Sequence, residues 1–92
     1  MPRSAREVAA NLERKGFIAD DGNHTFYRLF VDGKNTGIRT KISHGEKEIH
    51  DGLLSQMAKQ TRLVRKEFLD LIDCPMTGSQ YIELLRERGH LP

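Results

Sequence analysis

The apolar positions near the start of the chain recur with the period of a helix. They follow the i, i+3, i+4, i+7 spacing of a single helix face: Ala5, Val8, Ala9 and Leu12. The preceding Ser4-Ala5-Arg6-Glu7 fits an N-terminal capping box, and Gly16 is a typical residue just beyond a helix end. The pattern predicts a first helix over about residues 5–15.

Alternating positions replace the helical period in the segment that follows. Phe17-Ile18-Ala19 begins a strand before a polar turn at residues 20–23, and residues 24–31 are rich in aromatic and β-branched side chains. Asp32-Gly33 is typical of a tight hairpin, which leads into a returning strand over residues 36–42. The segment therefore predicts a three-stranded antiparallel sheet.

The two faces of this predicted sheet differ in polarity. One is the more apolar and is expected to pack on helices: Thr25, Tyr27, Leu29, Val31, Ile38, Thr40 and Ile42. The other mixes aromatic and basic side chains and is expected to face outward: His24, Phe26, Arg28, Phe30, Gly37, Arg39 and Lys41. The alternation thus predicts that three cations lie on the outward side.

Helical periods return in the second half of the chain and predict three more helices. Asp51 is expected to cap the second helix, the third spans residues 64–72, and Thr77 opens a fourth that ends at Gly89. Their apolar sets are Leu53, Leu54, Met57 and Ala58; Val64, Phe68, Leu69, Leu71 and Ile72; and Tyr81, Ile82, Leu84 and Leu85. The order αβββα followed by a helical hairpin is an α+β fold. Without a long linker, we expect a single domain over residues 1–92.

The charges are distributed unevenly along the chain. The net charge of +2 combines 13 basic and 8 acidic residues in 1–66 with 2 basic and 5 acidic residues in 67–92. The first two-thirds, at +5, are therefore expected to carry any surface that meets a polyanion, and the last third, at −3, is not. A single cysteine, Cys74, excludes an internal disulfide, and no apolar run approaches the roughly 18 residues of a membrane span. We expect a cytoplasmic protein without membrane contact.

Short motifs follow one another in a set order between residue 4 and about residue 63. They are Lys15-Gly16-Phe17, Gly22-Asn23-His24, Tyr27, Asp32-Gly33, and a run from His44-Gly45-x-Lys47-Glu48-Ile49 to Gly52-x-Leu54. Together they resemble the HicA toxin family, with Asn23 where the family usually has serine and Ile42 where it commonly has proline. Residues 1–63 would then be a HicA-like core, and residues 64–92 a helical extension beyond the minimal family domain.

The resemblance implies both a fold and an activity. HicA proteins have a core like the double-stranded-RNA-binding domain, and they are messenger-RNA interferases that a HicB antitoxin keeps inactive. The family's catalytic histidine, third in a Gly-Ser-His-like motif, corresponds to His24. The resemblance therefore implies an RNA substrate, a HicB-like antitoxin partner and no cofactor.

His24 is the candidate catalyst. An imidazole can take the proton of a 2′-hydroxyl or give one to a leaving 5′-oxygen, which allows RNA cleavage without a metal. The position of His24 after a Gly-Asn turn is also typical of an ordinary polar turn residue without a catalytic role. Metal ligation is not expected, since His44 and His50 have no further partners at a recognisable zinc spacing.

Five other residues are candidates for RNA binding. Arg28, Arg39 and Lys41 share the outward face with Phe26 and Phe30, where cations grip phosphates and rings stack on bases. The two phenylalanines fit equally well as an apolar floor for the helical extension. His44 and Lys47, with the amides that open the second helix, fit an anion-binding corner or a solvated loop.

Three functions from different classes follow from these residues. The first is a toxin-type endoribonuclease, an mRNA interferase in which a single histidine, His24, acts as general acid or base. The second is a non-catalytic RNA-binding module of the same fold. The third is a protein-interaction adaptor that uses the acidic C-terminal hairpin.

Overall fold

Four helices and five strands are found in residues 3–73 and 75–91, which are the residues that the computed structural model describes. In chain order they are β1 (Arg3–Ser4), α1 (Ala5–Arg14), β2 (Phe17–Asp21), β3 (His24–Val31), β4 (Lys34–Ser43), β5 (Glu48–Ile49), α2 (Asp51–Gln60), α3 (Arg65–Ile72) and α4 (Gly78–Glu87). Cys74 lies outside the described residues. The predicted α+β fold is confirmed.

Strands β2, β3 and β4 form the predicted antiparallel sheet, with β3 in the centre. The β3–β4 turn is tight because Asp32 and Gly33 both have positive φ, at 52° and 77°, a turn whose twist matches that of the strands. This two-residue turn lets β4 begin at Lys34, earlier than predicted. A register shift follows between Arg28 and Phe30, close to Gly37, whose φ is 84°.

A second, two-stranded sheet was not predicted. Arg3 of β1 is the register partner of Ile49 of β5, and the Ala5 N–H donates to the Lys47 carbonyl at 2.9 Å. These contacts hold the start of α1 against the loop that leads to α2. Strands of two residues have too few positions to show an alternation, so the sequence pattern gives no sign of them.

The apolar face of the sheet is buried as predicted. Tyr27 and Leu29 of β3 and Ile38 and Ile42 of β4 all belong to the core cluster. They share it with apolar residues of the helices: Ala5, Val8, Leu12, Leu54, Met57, Ala58, Phe68, Leu71, Ile72, Tyr81 and Leu85. The core is therefore one layer of side chains between the sheet and the helices.

The helical extension belongs to this same core. Helix α3 packs against α1 and α2. The Tyr81 ring stacks on Phe17 at 5.9 Å between centroids, and its hydroxyl donates to the Thr61 carbonyl at 2.8 Å. The alternative in which Phe26 and Phe30 form a floor for the extension is wrong, since both are only half-buried on the other side of the sheet. Four residues, 61–64, join α2 to α3, and so short a connection keeps α3 beside α2.

Side chains from the start of the chain hold the C-terminal end of α3. The buried Lys15 ammonium donates to the carbonyls of Leu71, at 2.9 Å, and Met76. The Asn11 side-chain amide donates to the Ile72 carbonyl at 2.5 Å. Because the last carbonyls of a helix have no partner within it, these donors satisfy groups that burial would otherwise leave unpaired.

Two predictions about helix starts are wrong. Asp51 is the first residue of α2 and not its N-cap, because β5 ends at Ile49 and the extended His50 takes the cap position. Val64 is the N-cap of α3 and 61% exposed, because the helical period begins only after it. Among the described helices, none combines the length and the apolar character needed to cross a membrane.

Candidate active site on the outward face of the sheet

Strand register brings the candidate residues of the sheet together. The side chains opposite the core alternate with the buried ones and form the outward face, defined here as Ile18, Asp20, His24, Phe26, Arg28, Phe30, Arg39 and Lys41. Phe26 pairs with Asp20 on one side and Lys41 on the other, and Arg28 pairs with Arg39. The predicted grouping of Arg28, Arg39 and Lys41 with His24 is therefore present.

Two arginines share one aromatic ring at the centre of the outward face. The guanidinium carbons of Arg28 and Arg39 each lie 5.1 Å from the centroid of the Phe26 ring. Arg28 also pairs with Asp20, at 3.2 Å between Nε and Oδ2. The negative face of the ring and this carboxylate both attract the cations, which lets two like charges stand opposite each other.

Arg39 and Lys41 keep their charge available to solvent. Both are exposed, and neither forms an ion pair within the described part of the chain. Exposed, unpaired cations beside an aromatic ring suit a ligand that offers both phosphates and flat bases. The outward face has that chemistry at its centre.

His24 is the first residue of β3 and pairs with Ser43 of β4. Its backbone carbonyl accepts a hydrogen bond from the Gly22 N–H at 3.0 Å, which closes the preceding turn. The ring is half-buried, and its Nδ1 atom is buried without a hydrogen-bond partner among the described residues. An incoming ligand therefore cannot reach Nδ1 without a movement of the ring.

His44 and Lys47 lie in the loop after β4, away from the centre of the outward face. His44 borders a groove of about 470 Å³ between α1 and the ends of β3 and β4, together with Arg6 and Thr25. Lys47 is exposed, and its backbone carbonyl accepts from Ala5 at the start of α1. The structure thus places both residues beside α1.

The start of α2 does not have the charge expected of an anion-binding corner. Asp51 puts a carboxylate into the first turn of the helix, where it accepts from Arg65 at 2.6 Å. This negative charge occupies the positive end of the helix dipole and opposes a bound phosphate. His50 lies 3.8 Å from Glu48, and no three potential metal-ligating side chains cluster anywhere in the described residues.

The interaction of Asp20 with Arg28 was missed at the sequence level. Asp20 and Asp21 are unfavourable strand residues, so the pattern predicts that β2 ends at Ala19, whereas it continues to Asp21. If β2 and β3 are paired symmetrically about Asn23, Asp20 lies opposite Phe26. Arg28 is two residues from Phe26 on the same face, which makes it a diagonal neighbour of Asp20. That symmetry was the available signal.

Comparison with known proteins identifies one family. A family model described as the HicA toxin of bacterial toxin–antitoxin systems matches residues 5–63, which contain α1, the three-stranded sheet and α2. No curated protein and no solved structure matches the chain. The matched segment covers more than half of the chain and includes His24 and the whole outward face. The chain belongs to the HicA toxin family of bacterial toxin–antitoxin systems.

Proposed function

We propose that the protein is a toxin-type endoribonuclease, an mRNA interferase that uses His24 as its general acid or base. The observation that carries this proposal is the position of His24: it lies half-buried at the edge of a cation-rich sheet face, inside the segment that the family model matches. An imidazole is the side chain best suited to move a proton near neutral pH.

The proposed reaction is an internal transfer of the phosphate. The 2′-oxygen of the RNA forms a bond to phosphorus and the bond to the 5′-oxygen breaks, which yields a 2′,3′-cyclic phosphate and a free 5′-hydroxyl. One proton leaves the 2′-hydroxyl and one joins the 5′-oxygen. His24 either accepts the proton of the 2′-hydroxyl or donates the proton to the 5′-oxygen, and water takes part in the other transfer.

Cations of the outward face would stabilise the transition state. The phosphorane-like state carries more negative charge than the substrate, and prepositioned cations lower its energy. Lys41 is a diagonal cross-strand neighbour of His24, about 7–8 Å away, which a lysine side chain spans. Arg39 lies two residues farther along β4. We assign phosphate binding to these two residues and to Arg28.

Phe26 and its two arginines suit an unpaired RNA base. Single-stranded RNA exposes base faces that stack on aromatic rings and guanidinium planes, whereas a duplex hides them. Both guanidinium groups lie over the half-buried Phe26 ring and are themselves flat surfaces for a base. The proposed substrate is therefore single-stranded messenger RNA.

Membership of a toxin–antitoxin family implies an antitoxin, and we propose that a HicB-like protein covers the outward face. Such a partner needs carboxylates to match Arg39 and Lys41, because buried cations without partners would weaken the complex. Coverage of His24 would keep the toxin inactive.

The test compares wild-type protein with His24→Ala and with the matched control His50→Ala. His50 is exposed and its side chain makes no capping hydrogen bond, so its loss leaves α2 intact. In a bacterial host, wild type and His50→Ala should arrest growth and fragment transcripts, and His24→Ala should do neither. Purified wild type should leave 2′,3′-cyclic phosphate ends. Harmless wild type that leaves RNA intact would refute the enzymatic function.

One observation favours a non-catalytic RNA-binding module as the second candidate. Efficient catalytic histidines usually have their second nitrogen held by a hydrogen bond, and His24 Nδ1 has no such partner within the described residues. This module would bind RNA in a salt-sensitive way and cleave nothing, and His24→Ala would leave its affinity unchanged. Cleavage that depends on His24 excludes it.

A further inference from the structure

A cavity of about 440 Å³ lies between the β3–β4 hairpin and the end of α4. The hairpin contributes Val31, Lys34 and Asn35, and the extension contributes Arg86, His90 and Leu91. The family match ends at residue 63, so three of the eight lining residues come from outside the matched segment. The volume falls within the range of about 300–1,000 Å³ typical of small-ligand sites.

The chain turn after α4 builds one wall of the cavity. Gly89 adopts a φ of 78°, and the His90 N–H donates to the Leu85 carbonyl at 2.9 Å. A glycine in this left-handed conformation ends the helix and redirects the chain. Leu91 then packs against the main core, which fixes this end of the chain beside the hairpin.

Two of the side chains that line the cavity are cations without an ion pair in the described part of the chain. Lys34 and Arg86 are exposed, and neither pairs with an acidic side chain in the described ranges. Arg88, two residues from Arg86, differs because Glu67 binds both of its terminal nitrogens. Asp32 is the one acid that lines the cavity among the described residues. The overall negative charge of residues 67–92 therefore conceals a local positive site.

The remaining lining suits a nucleobase. Val31 and Leu91 are half-buried and offer an apolar surface. The Asn35 Oδ1 atom accepts from the Gly37 N–H at 2.9 Å, which orients the side chain and leaves its amide nitrogen free to donate. Apolar walls with a few placed polar groups are typical of sites for small planar ligands.

We propose that this cavity binds one nucleotide of the RNA strand whose cleaved bond lies at His24. Lys34 and Arg86 bind its phosphate, and Val31 and Leu91 contact its base. The inference rests on the proposed function, because it concerns the same substrate. Val31 lies seven residues along β3 from His24, about 23 Å at about 3.3 Å per residue, and on the opposite face of the sheet, so the RNA strand passes around the end of the hairpin to reach the cavity. Stacked RNA at about 3.4 Å per nucleotide needs at least about seven nucleotides for this path, which a twelve-nucleotide RNA supplies.

The test measures binding of a fluorescent twelve-nucleotide RNA with 2′-O-methyl groups, which cannot be cleaved. Anisotropy titrations at several salt concentrations compare wild type with Arg86→Ala, Lys34→Ala and the control Lys66→Ala. Lys66 is exposed and lines none of the cavities described above. Each cavity variant should lower the affinity about fivefold or more relative to the control. It should also reduce the slope of log K against log salt by about 0.7, the value for one phosphate contact to a single strand.

A second measurement locates the ligand directly. Adenosine monophosphate added to ¹⁵N-labelled protein should shift the amide resonances of Asn35, Thr36 and Leu91. Affinities of the Arg86→Ala and Lys34→Ala variants within twofold of Lys66→Ala, or unmoved resonances, would overturn the inference. Cleavage is assayed separately on unmodified RNA. If cleavage requires His24 but the Arg86→Ala and Lys34→Ala variants bind RNA as the control does, the proposed nucleotide site is wrong and the endoribonuclease function stands. If these variants bind RNA more weakly but the wild type cleaves no RNA, the endoribonuclease function is wrong and the nucleotide site stands.

Discussion

Replacing Lys15 with methionine should destabilise the whole protein and not only the end of α1. Lys15 is 8% exposed, and its ammonium donates to the Leu71 and Met76 carbonyls, both in the extension. Methionine has a similar length and keeps the apolar stem in place. The substitution therefore isolates the two hydrogen bonds between the family-matched segment and the extension.

The expected loss of unfolding free energy is about 2 kcal/mol. A buried carbonyl left without its donor costs about 1–3 kcal/mol, and Lys15→Met leaves one buried carbonyl, that of Leu71, and one partly buried, that of Met76. Relief from burying an ammonium offsets part of this cost. For a domain of this size, 1 kcal/mol corresponds to about 4–8 °C in Tm, so we expect a drop of about 8–16 °C.

The assay is thermal and urea unfolding followed by circular dichroism, with Lys66→Met as the control. Lys66 is exposed in the first turn of α3, so its replacement changes the same charge without removing a buried contact. A Lys15→Met protein within 0.5 kcal/mol of this control, a difference expected of surface substitutions, would refute the reasoning. It would mean that the two carbonyls find other donors.

Three further predictions follow from single contacts. Tyr81→Phe should lower the free energy of unfolding, measured in urea, by about 1–2 kcal/mol. Burial raises the pKa of Tyr81, so its hydroxyl stays protonated and donates to the buried Thr61 carbonyl, a bond that phenylalanine cannot make. An unchanged free energy of unfolding would contradict this prediction. The hydrogen bond from Arg88 lowers the pKa of Glu67 below 4.5, so this pair stabilises the fold above that pH and the contribution is lost as the pH falls through the lowered pKa. Glu67→Gln should therefore destabilise by up to about 1 kcal/mol at pH 7 and not in strong acid, as denaturation at both pH values would measure. Asp20→Asn should raise RNA affinity a few-fold in anisotropy titrations by removing a carboxylate from the outward face, and a loss of affinity would count against RNA binding there.

The parts of the fold that depend on local chemistry could be predicted from the sequence. The bounds of β3 match the prediction, because alternation over eight residues separates Tyr27 and Leu29, which are buried, from Phe26 and Arg28. The hairpin turn at Asp32 was predictable because aspartate followed by glycine tolerates positive φ. In each case a residue's own conformational preference agrees with the final fold.

The parts that depend on distant partners could not be predicted. The helical period shows that Phe68 and Leu71 share one face of α3, but not which surface covers them. The buried role of Lys15 has no signal, since a lysine after a helix usually reaches solvent. Whether Asp51 caps α2 or begins it depends on where β5 ends, and β5 is too short to show a pattern.

The candidate site also has one part that the sequence predicts and another that depends on distant partners. Alternation predicts that Arg28, Arg39 and Lys41 share a face, and the register confirms it. The placing of two arginines over Phe26 requires the register of β3 with β4, and the shift between Arg28 and Phe30 displaces that register from the one the turn alone would set. Arg86 was overlooked because the net charge of its segment is negative, and a sum of charges says nothing about where each one lies.

The end of the family match at residue 63 is a boundary in sequence but not in structure. On one side of it, Lys15, Phe17 and Thr61 make buried contacts; on the other, their partners include Leu71 and Tyr81. A segment cut at this boundary would expose the apolar side chains of both parts, since one core cluster contains them. The extension thus shares its core with the matched segment, and the proposed cavity forms only because that core holds the last turn in place. Any role in RNA binding at Arg86 therefore depends on the same packing that stabilises the fold.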